Sequence, residues 1–147
     1  MSWLSNDGKR VAFEENPHIV FWDSDAECVR YLDTNSSGEL ANRGSWWALL
    51  SADEKQVVFS SEASNLISDD TNGVRDLYLK SMLTGEVTRI TTGWNGEEAN
   101  GNSGGYGRGG PGGPNRGLDL SEDGVIVVYQ SEASNLVPDD GNGNTSD

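Results

Sequence analysis

An internal repeat constrains the fold of this chain more than any other feature of its sequence. The hexapeptide Ser-Glu-Ala-Ser-Asn-Leu occupies residues 61–66 and recurs unchanged at 131–136. The surrounding residues 51–73 and 121–143 align at the same shift of 70 positions. Self-similarity at a fixed period indicates units that bury their apolar faces against one another.

A third, more divergent copy begins the chain. Residues 4–14 align with 50–60 at a shift of 46 positions, and a period of this length is typical of a β-propeller blade. The shift of 70 exceeds the shift of 46 by 24 residues. We assign these extra residues to the Gly-rich segment 97–115, which has too little apolar surface to order itself and is predicted to be a flexible inserted loop.

The repeats contain short runs of β-branched and aromatic residues, and no window has a sustained 3.6-residue apolar period. The predicted strands are 2–5, 9–14, 18–23, 27–33, 45–50, 55–61, 76–82, 86–92, 116–120 and 124–131. We therefore predict an all-β fold: a β-propeller segment of about two and a half four-stranded antiparallel blades. The predicted divisions are blade one at 1–44, blade two at 45–96, the Gly-rich insert at 97–115 and a half blade at 116–147.

Several spaced motifs recur together in these repeats: Leu-Ser-x-Asp-Gly, Ser-x-x-Ser-Asn-Leu, Asp-Asp-x-Asn-Gly, Asp-Leu-Tyr-Leu and Thr-Gly-x-x-Thr-Arg-Ile. In this pattern the chain resembles the TolB-type, WD-like, Asp-rich β-propeller repeat of bacterial proteins, closely over 51–92 and 116–147 and more loosely over 1–40. The resemblance implies radially packed four-stranded sheets. It also implies a role as a protein-interaction platform, a gating domain of a serine peptidase or an extracellular module, because one fold carries unrelated functions.

Glu54 departs from this pattern, because Gly8 and Gly124 occupy the same turn position in the other repeats. If the turn requires a positive φ, a side chain at this position costs about 1 kcal/mol. Blade one departs as well, since it lacks the Asp-Asp-x-Asn-Gly loop.

The formal net charge is −14, from 10 basic and 24 acidic residues. Such a field repels nucleic acids and anionic membrane surfaces, so neither is an expected partner. The chain also has no secretory signal at its start and no apolar stretch long enough to enter a bilayer. As written it is expected in the cytoplasm, whereas members of the family it resembles are often periplasmic or extracellular. The acidity suits a soluble protein, a cation binder or a partner with a basic face, and simple solubility is the ordinary explanation.

The Asp-rich loops are candidate Ca²⁺ sites, since Ca²⁺ prefers carboxylate, amide and carbonyl oxygens. The candidate ligands are Asp70, Asn72, Asp76, Asp140 and Asn142. The same residue types are also common in structural turns, because their side chains bond the local backbone. The loop is not an EF-hand, because Leu79 stands where the bidentate Glu would be.

Trp46 and Trp47 are candidate binding residues, since tryptophan is enriched at protein interfaces. On a regular strand adjacent side chains point to opposite faces. One ring is therefore expected between blades, and the other near the channel or on a partner surface. The alternative is that both belong to the core.

No catalytic residue is predicted. Residues 101–105 match G-x-S-x-G but lie in a Gly tract rather than between a strand and a helix. His18, the single histidine, lies in a predicted strand, and neither a zinc-binding cluster nor a Walker motif is present. The chain is predicted not to be an enzyme by itself.

The leading functional hypothesis is a non-catalytic β-propeller interaction or scaffold module, with Ca²⁺ stiffening its Asp-rich loops. One alternative is the gating or substrate-binding propeller of a larger hydrolase or peptidase. Another is a truncated fragment without independent function. Because open blades leave bare sheet edges, we expect a protein partner or self-association to complete the propeller.

Overall fold

The computed structural model describes residues 2–104 and 117–139, and the regular structure within them is entirely β. The strands are β1 (Ser2–Leu4), β2 (Arg10–Glu15), β3 (His18–Asp23), β4 (Cys28–Tyr31), β5 (Ser45–Leu50), β6 (Gln56–Ser61), β7 (Asp76–Ser81), β8 (Val87–Arg89), β9 (Leu118–Leu120) and β10 (Val127–Tyr129). Each lies within two or three residues of a strand predicted from the sequence. In the described part of the chain, no helix is long and apolar enough to cross a membrane.

The strands form three antiparallel sheets in chain order. The first two sheets have four strands each, ordered β1-β2-β3-β4 and β5-β6-β7-β8, and the third pairs β9 with β10. We call them blade one, blade two and the half blade. The predicted all-β fold with four-stranded antiparallel blades is confirmed.

Blade one packs on blade two through a core of buried side chains from one face of each sheet. The fully buried members Ile19 and Phe59 come from the middle strands of the two blades. The wider cluster contains Ala12, Phe21, Leu32, Ala41, Ala48, Leu50, Val57, Ala63, Leu66, Tyr78 and Val87. Burial of this apolar surface is the main favourable term that holds the two sheets together.

The other face of blade two packs on the half blade in the same way. Val58, Leu77 and Leu118 are buried there, and Trp47 and Tyr129 pack around them. Blade two is thus covered on both sheet faces. Strand β6 accordingly has the continuous apolar run Val-Val-Phe rather than the alternation of a half-exposed strand.

A Ser-x-Asp turn joins the first two strands of every sheet. In blade two, the Ser51 hydroxyl donates to Asp53 Oδ1 over 2.7 Å, and the amide of Lys55 donates to the same oxygen. The corresponding turns of the other sheets have the same hydrogen bonds, Ser5 to Asp7 at 2.6 Å and Ser121 to Asp123 at 2.6 Å. These bonds lower the pKa of each aspartate below its ordinary value.

Glu54 has a φ of 58° in this turn, where Gly8 and Gly124 have 72° and 74°. The predicted positive φ at Glu54 is therefore present. Its side chain compensates for part of the strain, because Arg10 of blade one donates to Glu54 Oε2 over 2.7 Å. This ion pair joins the two blades at their turns.

The extra residues of blade two are divided between two places. From β7 to Ser103, structurally equivalent residues of the first and second repeats differ by 58 positions. Twelve of the extra residues therefore lie in the β6–β7 connection, residues 62–75, which replaces the two-residue β2–β3 connection. The other twelve lie between Ser103 and Leu118, where the shift becomes 70.

This division corrects the predicted insert. Residues 97–103, predicted above as the start of the Gly-rich insert, repeat the hydrogen bonds of residues 39–45. They form the link from β8 to the next sheet because their backbone is bonded to blade two and the half blade. The rest of the predicted insert and the end of the predicted half blade lie outside the described residues, except for 104 and 117–139.

In blade two and in the half blade, one asparagine side chain forms hydrogen bonds with the link that precedes the sheet. Asn65 Nδ2 donates to the carbonyl of Leu40 over 2.9 Å, and Asn65 Oδ1 accepts from the amide of Asn42 over 2.9 Å. The same two bonds connect Asn135 to Glu98 at 2.8 Å and to Asn100 at 3.1 Å. The presence of asparagine at both position 65 and position 135 follows from this shared role.

Lys80 adds a polar contact to the apolar interface between blades one and two. Its Nζ donates to the carbonyl of Leu32 over 3.1 Å and also to the carbonyl and hydroxyl of Thr34. The side chain is almost completely buried. Burial lowers the pKa of Lys80 to about 8, although the nearby Asp33 favours the charged form.

We predict that Glu54→Gly and Glu54→Ala separate the backbone strain at this turn from the Arg10 ion pair. Both variants lose the ion pair, which contributes about 0–1 kcal/mol at a partly exposed site. Only the alanine variant keeps a side chain at positive φ. The glycine variant should therefore be more stable than the alanine variant by about 1 kcal/mol in urea denaturation. Equal stabilities would contradict the strain.

Candidate interaction site on the loop face

The connections between strands alternate between the two ends of the sheets. In a four-stranded antiparallel sheet with strands in chain order, two connections lie at the same end. One joins the second strand to the third, and the other joins the fourth strand to the next blade. This end carries residues 16–17, 32–44, 62–75 and 90–104, and we call it the loop face. The longest described connections of the chain therefore meet there, and loops positioned by a rigid scaffold are common binding sites.

Arg89, at the end of β8, organises the Asp-rich loop. Its Nη1 donates to Glu98 Oε1 over 2.6 Å. The same nitrogen lies 4.0 Å from Asp70 Oδ1, and Nη2 lies 3.9 Å from Asp69 Oδ2. The guanidinium is nearly buried, so three carboxylates of the loop face surround one cation.

Glu98 ties the Asp-rich loop to the link that follows blade two. Its carboxylate accepts a hydrogen bond of 2.8 Å from the amide of Thr71 and a second one from the Thr71 hydroxyl. Burial opposes ionisation of Glu98, but the bonds from Thr71 and Arg89 outweigh it and keep its pKa below 4.5. The contribution of Glu98 to stability is therefore complete above that pH and is lost as the pH falls through its lowered pKa.

Tyr78 and Asp70 connect the loop to the core. The phenol of Tyr78, which is fully buried, donates to Asp70 Oδ2 over 2.5 Å. Burial and the neighbouring carboxylate of Asp70 raise the pKa of Tyr78 far above its usual range, so the phenol remains a donor. This hydrogen bond anchors the Asp-rich loop to β7.

Asp76 and Asn72 close the other side of the loop. Asp76 Oδ1 accepts from Thr91 Oγ1 over 2.5 Å, and Asp76 Oδ2 accepts from Asn72 Nδ2 over 2.8 Å. Asn72 Nδ2 also donates to the carbonyl of Ala99, and Asn72 Oδ1 accepts from the amide of Val74. Burial raises the pKa of Asp76, and the two hydrogen bonds only partly offset this effect.

The structure places the three described Ca²⁺ candidates, Asp70, Asn72 and Asp76, in one loop with protein hydrogen-bond partners. In residues 2–104 and 117–139, no group of three or more His, Cys, Asp or Glu side chains is arranged to hold a metal ion. Asp140 and Asn142 lie outside the described residues. Calcium binding stays a prediction.

A polar cleft of about 590 Å³ lies beside this loop, at the junction of blades one and two. Three separate segments line it: the link after β4, the first part of the β6–β7 connection, and the start of β8. The lining residues are Asn35, Ser36, Ser37, Ser64, Asn65, Leu66, Ile67, Ser68, Asp69 and Val87. Such a cleft is large enough to bury several residues of an extended peptide.

Most polar side chains of the cleft are held in place by other parts of the protein. Asn35 donates to Glu39 and to the carbonyl of Asn65, and Ser36 Oγ accepts from the amide of Val87. Asp69, by contrast, projects from the rim with 77% of its side chain exposed. The cleft therefore combines a rigid polar wall with an exposed carboxylate.

The tryptophan pair lies on an irregular part of β5. A β-bulge falls between Trp46 and Leu49, and Trp47 has a φ of 62°. Trp47 packs on the core between blade two and the half blade, and its amide donates to Glu14 Oε1 of blade one over 3.0 Å. Trp46 lies over Gly44, where a Cβ would come within 2.4 Å of its ring.

Both tryptophans are partly buried in the described structure. The regular alternation on which their predicted orientations depended is absent, because the bulge interrupts the strand. The binding role of Trp46 and Trp47 stays a prediction.

His18 forms a pair with the fully buried Asp33, since His18 Nδ1 lies 2.8 Å from Asp33 Oδ2. Asp33 Oδ1 also accepts from the amide of Ile19. In blade two, Thr91 occupies the position of Asp33 and its hydroxyl accepts from the amide of Leu77. The His18–Asp33 pair thus occupies a structural position of the repeat.

The cleft could not be recognised from sequence motifs. The cleft is assembled from segments around positions 36, 66 and 87, which are separated by more than twenty residues in the chain. Arg89 and Glu98 were likewise not predicted as partners. The only sequence signal was the concentration of acidic residues on either side of one arginine.

Comparison with known proteins identifies the fold. The crystal structure of the tricorn protease matches 90% of this chain and 11% of that chain, with a TM-score of 0.57 and 12% sequence identity. The fold is that of a partial β-propeller. At this identity the similarity extends to the fold alone, and the chain spans about a tenth of the length of that protein.

A structure of Kuenenia stuttgartiensis hydrazine synthase has a TM-score of 0.48 and 13% identity, over 91% of this chain and 36% of that chain. No protein-family model matches the sequence, and no curated protein matches it. The resemblance to the TolB-type repeat therefore depends on the motifs alone.

We predict that Arg89→Met destabilises the protein by about 2–4 kcal/mol, because three neighbouring carboxylates lose their shared cation. Adding Glu98→Gln to Arg89→Met should recover about 1 kcal/mol by removing one of the repelling charges. Arg43→Met is the control, since it removes an exposed arginine of the same face and should change stability by less than about 0.5 kcal/mol. Equal losses for Arg89→Met and Arg43→Met in urea denaturation would contradict the role of Arg89.

Proposed function

We propose that this chain is a non-catalytic β-propeller module that binds a protein partner on its loop face. The observation that carries the proposal is the cleft of about 590 Å³ between blades one and two, with its rigid polar wall. A site whose side chains are already held in place loses little conformational entropy when a partner binds. The cleft is open and polar, which suits an extended peptide better than an apolar small molecule.

The charge of the chain favours a partner segment with basic side chains. The net charge is −14, and Asp69 projects at the rim of the cleft. Complementary charge accelerates the encounter and excludes acidic competitors. The free hydroxyls of Ser37 and Ser68, which form no hydrogen bond within the described residues, add polar groups for the peptide backbone.

The resemblance to TolB-type repeats supports the same proposal, because proteins with these repeats include interaction platforms. On that resemblance the chain would act in the periplasm or outside a bacterial cell. Calcium bound at the Asp-rich loops would stiffen the loop face, with ligands from both repeats.

Titration with a basic peptide tests the proposed site. The probe is a short peptide of alternating Ser and Lys, followed by changes in backbone amide NMR signals, with the Ser/Glu peptide of equal length for comparison. We expect the basic peptide to shift the amides of residues 35–37 and 64–69. Asp69→Asn should weaken this binding roughly fivefold, which corresponds to one charged contact of about 1 kcal/mol.

Asp25→Asn is the matched control, because it removes the same charge from an exposed side chain at the opposite end of the sheets. It should leave the affinity unchanged. Shifts spread over all acidic residues, or equal effects of the two substitutions, would mean that only the net charge attracts the peptide. Such a result would contradict a site in the cleft.

A second candidate function is the propeller part of a larger hydrolase or peptidase. The observation behind it is the similarity in fold to one part of the tricorn protease. Reading the encoding transcript on both sides of this segment distinguishes the two. A hydrolase domain in the same reading frame would favour the enzyme, and stop codons on either side would favour the interaction module.

A further inference from the structure

One face of blade one is apolar and exposed to solvent. It is the face directed away from blade two, and we call it the open face. One row of directly opposed side chains crosses it through all four strands: Leu4, Val11, Trp22 and Val29. A second row contains Phe13, Val20 and Tyr31, of which Phe13 and Tyr31 are exposed and Val20 is buried between them. Single exposed apolar residues are ordinary, but a continuous row of this kind marks an interaction surface.

The equivalent face of blade two is buried. The row that corresponds to Leu4, Val11, Trp22 and Val29 consists of Leu50, Val57, Lys80 and Val87. Val29 is 66% exposed, whereas Val87 is 8% exposed. Leu4 is 64% exposed, whereas Leu50 is 6% exposed. The difference arises because blade one covers the face of blade two, whereas no other described strand packs on the open face.

The half blade presents the complementary surface at the other end of the segment, and within residues 2–104 and 117–139 nothing packs on it. Val128 points away from blade two, because its neighbours Val127 and Tyr129 pack against that blade. It corresponds to Val58 of blade two, which is fully buried under the half blade, yet Val128 is 64% exposed. Val125 and Ile126 beside it are exposed as well.

We propose that the open face of blade one binds the outward face of the half blade of a second copy of this chain. The two surfaces are the two sides of one interface that the chain already forms twice internally, between blades one and two and between blade two and the half blade. The contact is head-to-tail, so it extends an arc of blades toward a closed ring.

The composition of the open face fits a dry contact of this kind. In blade two, Lys80 and Arg89 stand on the face turned to blade one, and Lys80 reaches the carbonyls of Leu32 and Thr34. In blade one these two positions are Trp22 and Tyr31. The open face therefore replaces two cations with aromatic rings, which supply large apolar areas at interfaces.

The net charge of −14 opposes contact between copies, so assembly should increase with salt. Light scattering after size exclusion, at low and high salt and over a range of concentrations, tests the proposal. We expect a mass that rises from that of one chain to two or more as concentration and salt increase.

The substitutions Val29→Lys and Val128→Lys each place a charge on one side of the contact. Each should raise the protein concentration needed for assembly at least tenfold. Both reduce the net negative charge, so a loss cannot come from added repulsion. Leu83→Lys is the matched control, because Leu83 is 75% exposed in a turn outside both faces. It should assemble like the unchanged protein. Thermal unfolding checks that all variants are folded.

Mixing the Val29→Lys and Val128→Lys proteins gives the sharpest outcome. Each retains the face that the other lacks, so a mixture should form a one-to-one pair that grows no further. If Val128→Lys assembles normally while Val29→Lys does not, the open faces bind each other and the head-to-tail contact is wrong. A single-chain mass under all conditions would also overturn it. Failure of this proposal can be distinguished from failure of the loop-face site, because Val29→Lys and Val128→Lys leave the cleft residues unchanged. Both variants should still bind the basic peptide.

Discussion

The packing of one sheet face on the next is the interaction on which the rest of this structure depends. A four-stranded sheet with two apolar faces would expose both of them to water if it stood alone. Blade two is covered on both faces, by blade one through Val57 and Phe59 and by the half blade through Val58 and Leu77. The loop face is held in position because its segments start and end in these packed strands.

The polar residues of the repeat serve a different purpose from the apolar ones. Ser51, Asp53 and their counterparts satisfy backbone amides in the turns, and Asn65 and Asn135 satisfy backbone groups of the preceding links. A position whose side chain forms a hydrogen bond of this geometry tolerates few other residues, whereas an apolar position tolerates several side chains of similar volume. The identical residues of the repeats are therefore mainly polar.

The strands could be predicted because the repeats align and the turn residues mark their ends. The position of the extra residues could not, because an alignment of two repeats leaves open where the longer one is lengthened. Twelve of these residues lie in the Asp-rich connection 62–75 itself. The bulge at Trp47 and the pairing of Arg89 with Glu98 arise from contacts between distant segments, and such contacts have no local sequence pattern.

Native-state hydrogen exchange tests the central claim most directly, that packing on both faces determines stability. Amides of β6 and β7 lie in the middle strands of the doubly covered blade, so Val58 and Leu77 should exchange slowest, near the global unfolding rate. Amides of β4, in the outer strand of blade one, should exchange much faster. Protection in β4 equal to that in β6 would contradict the account.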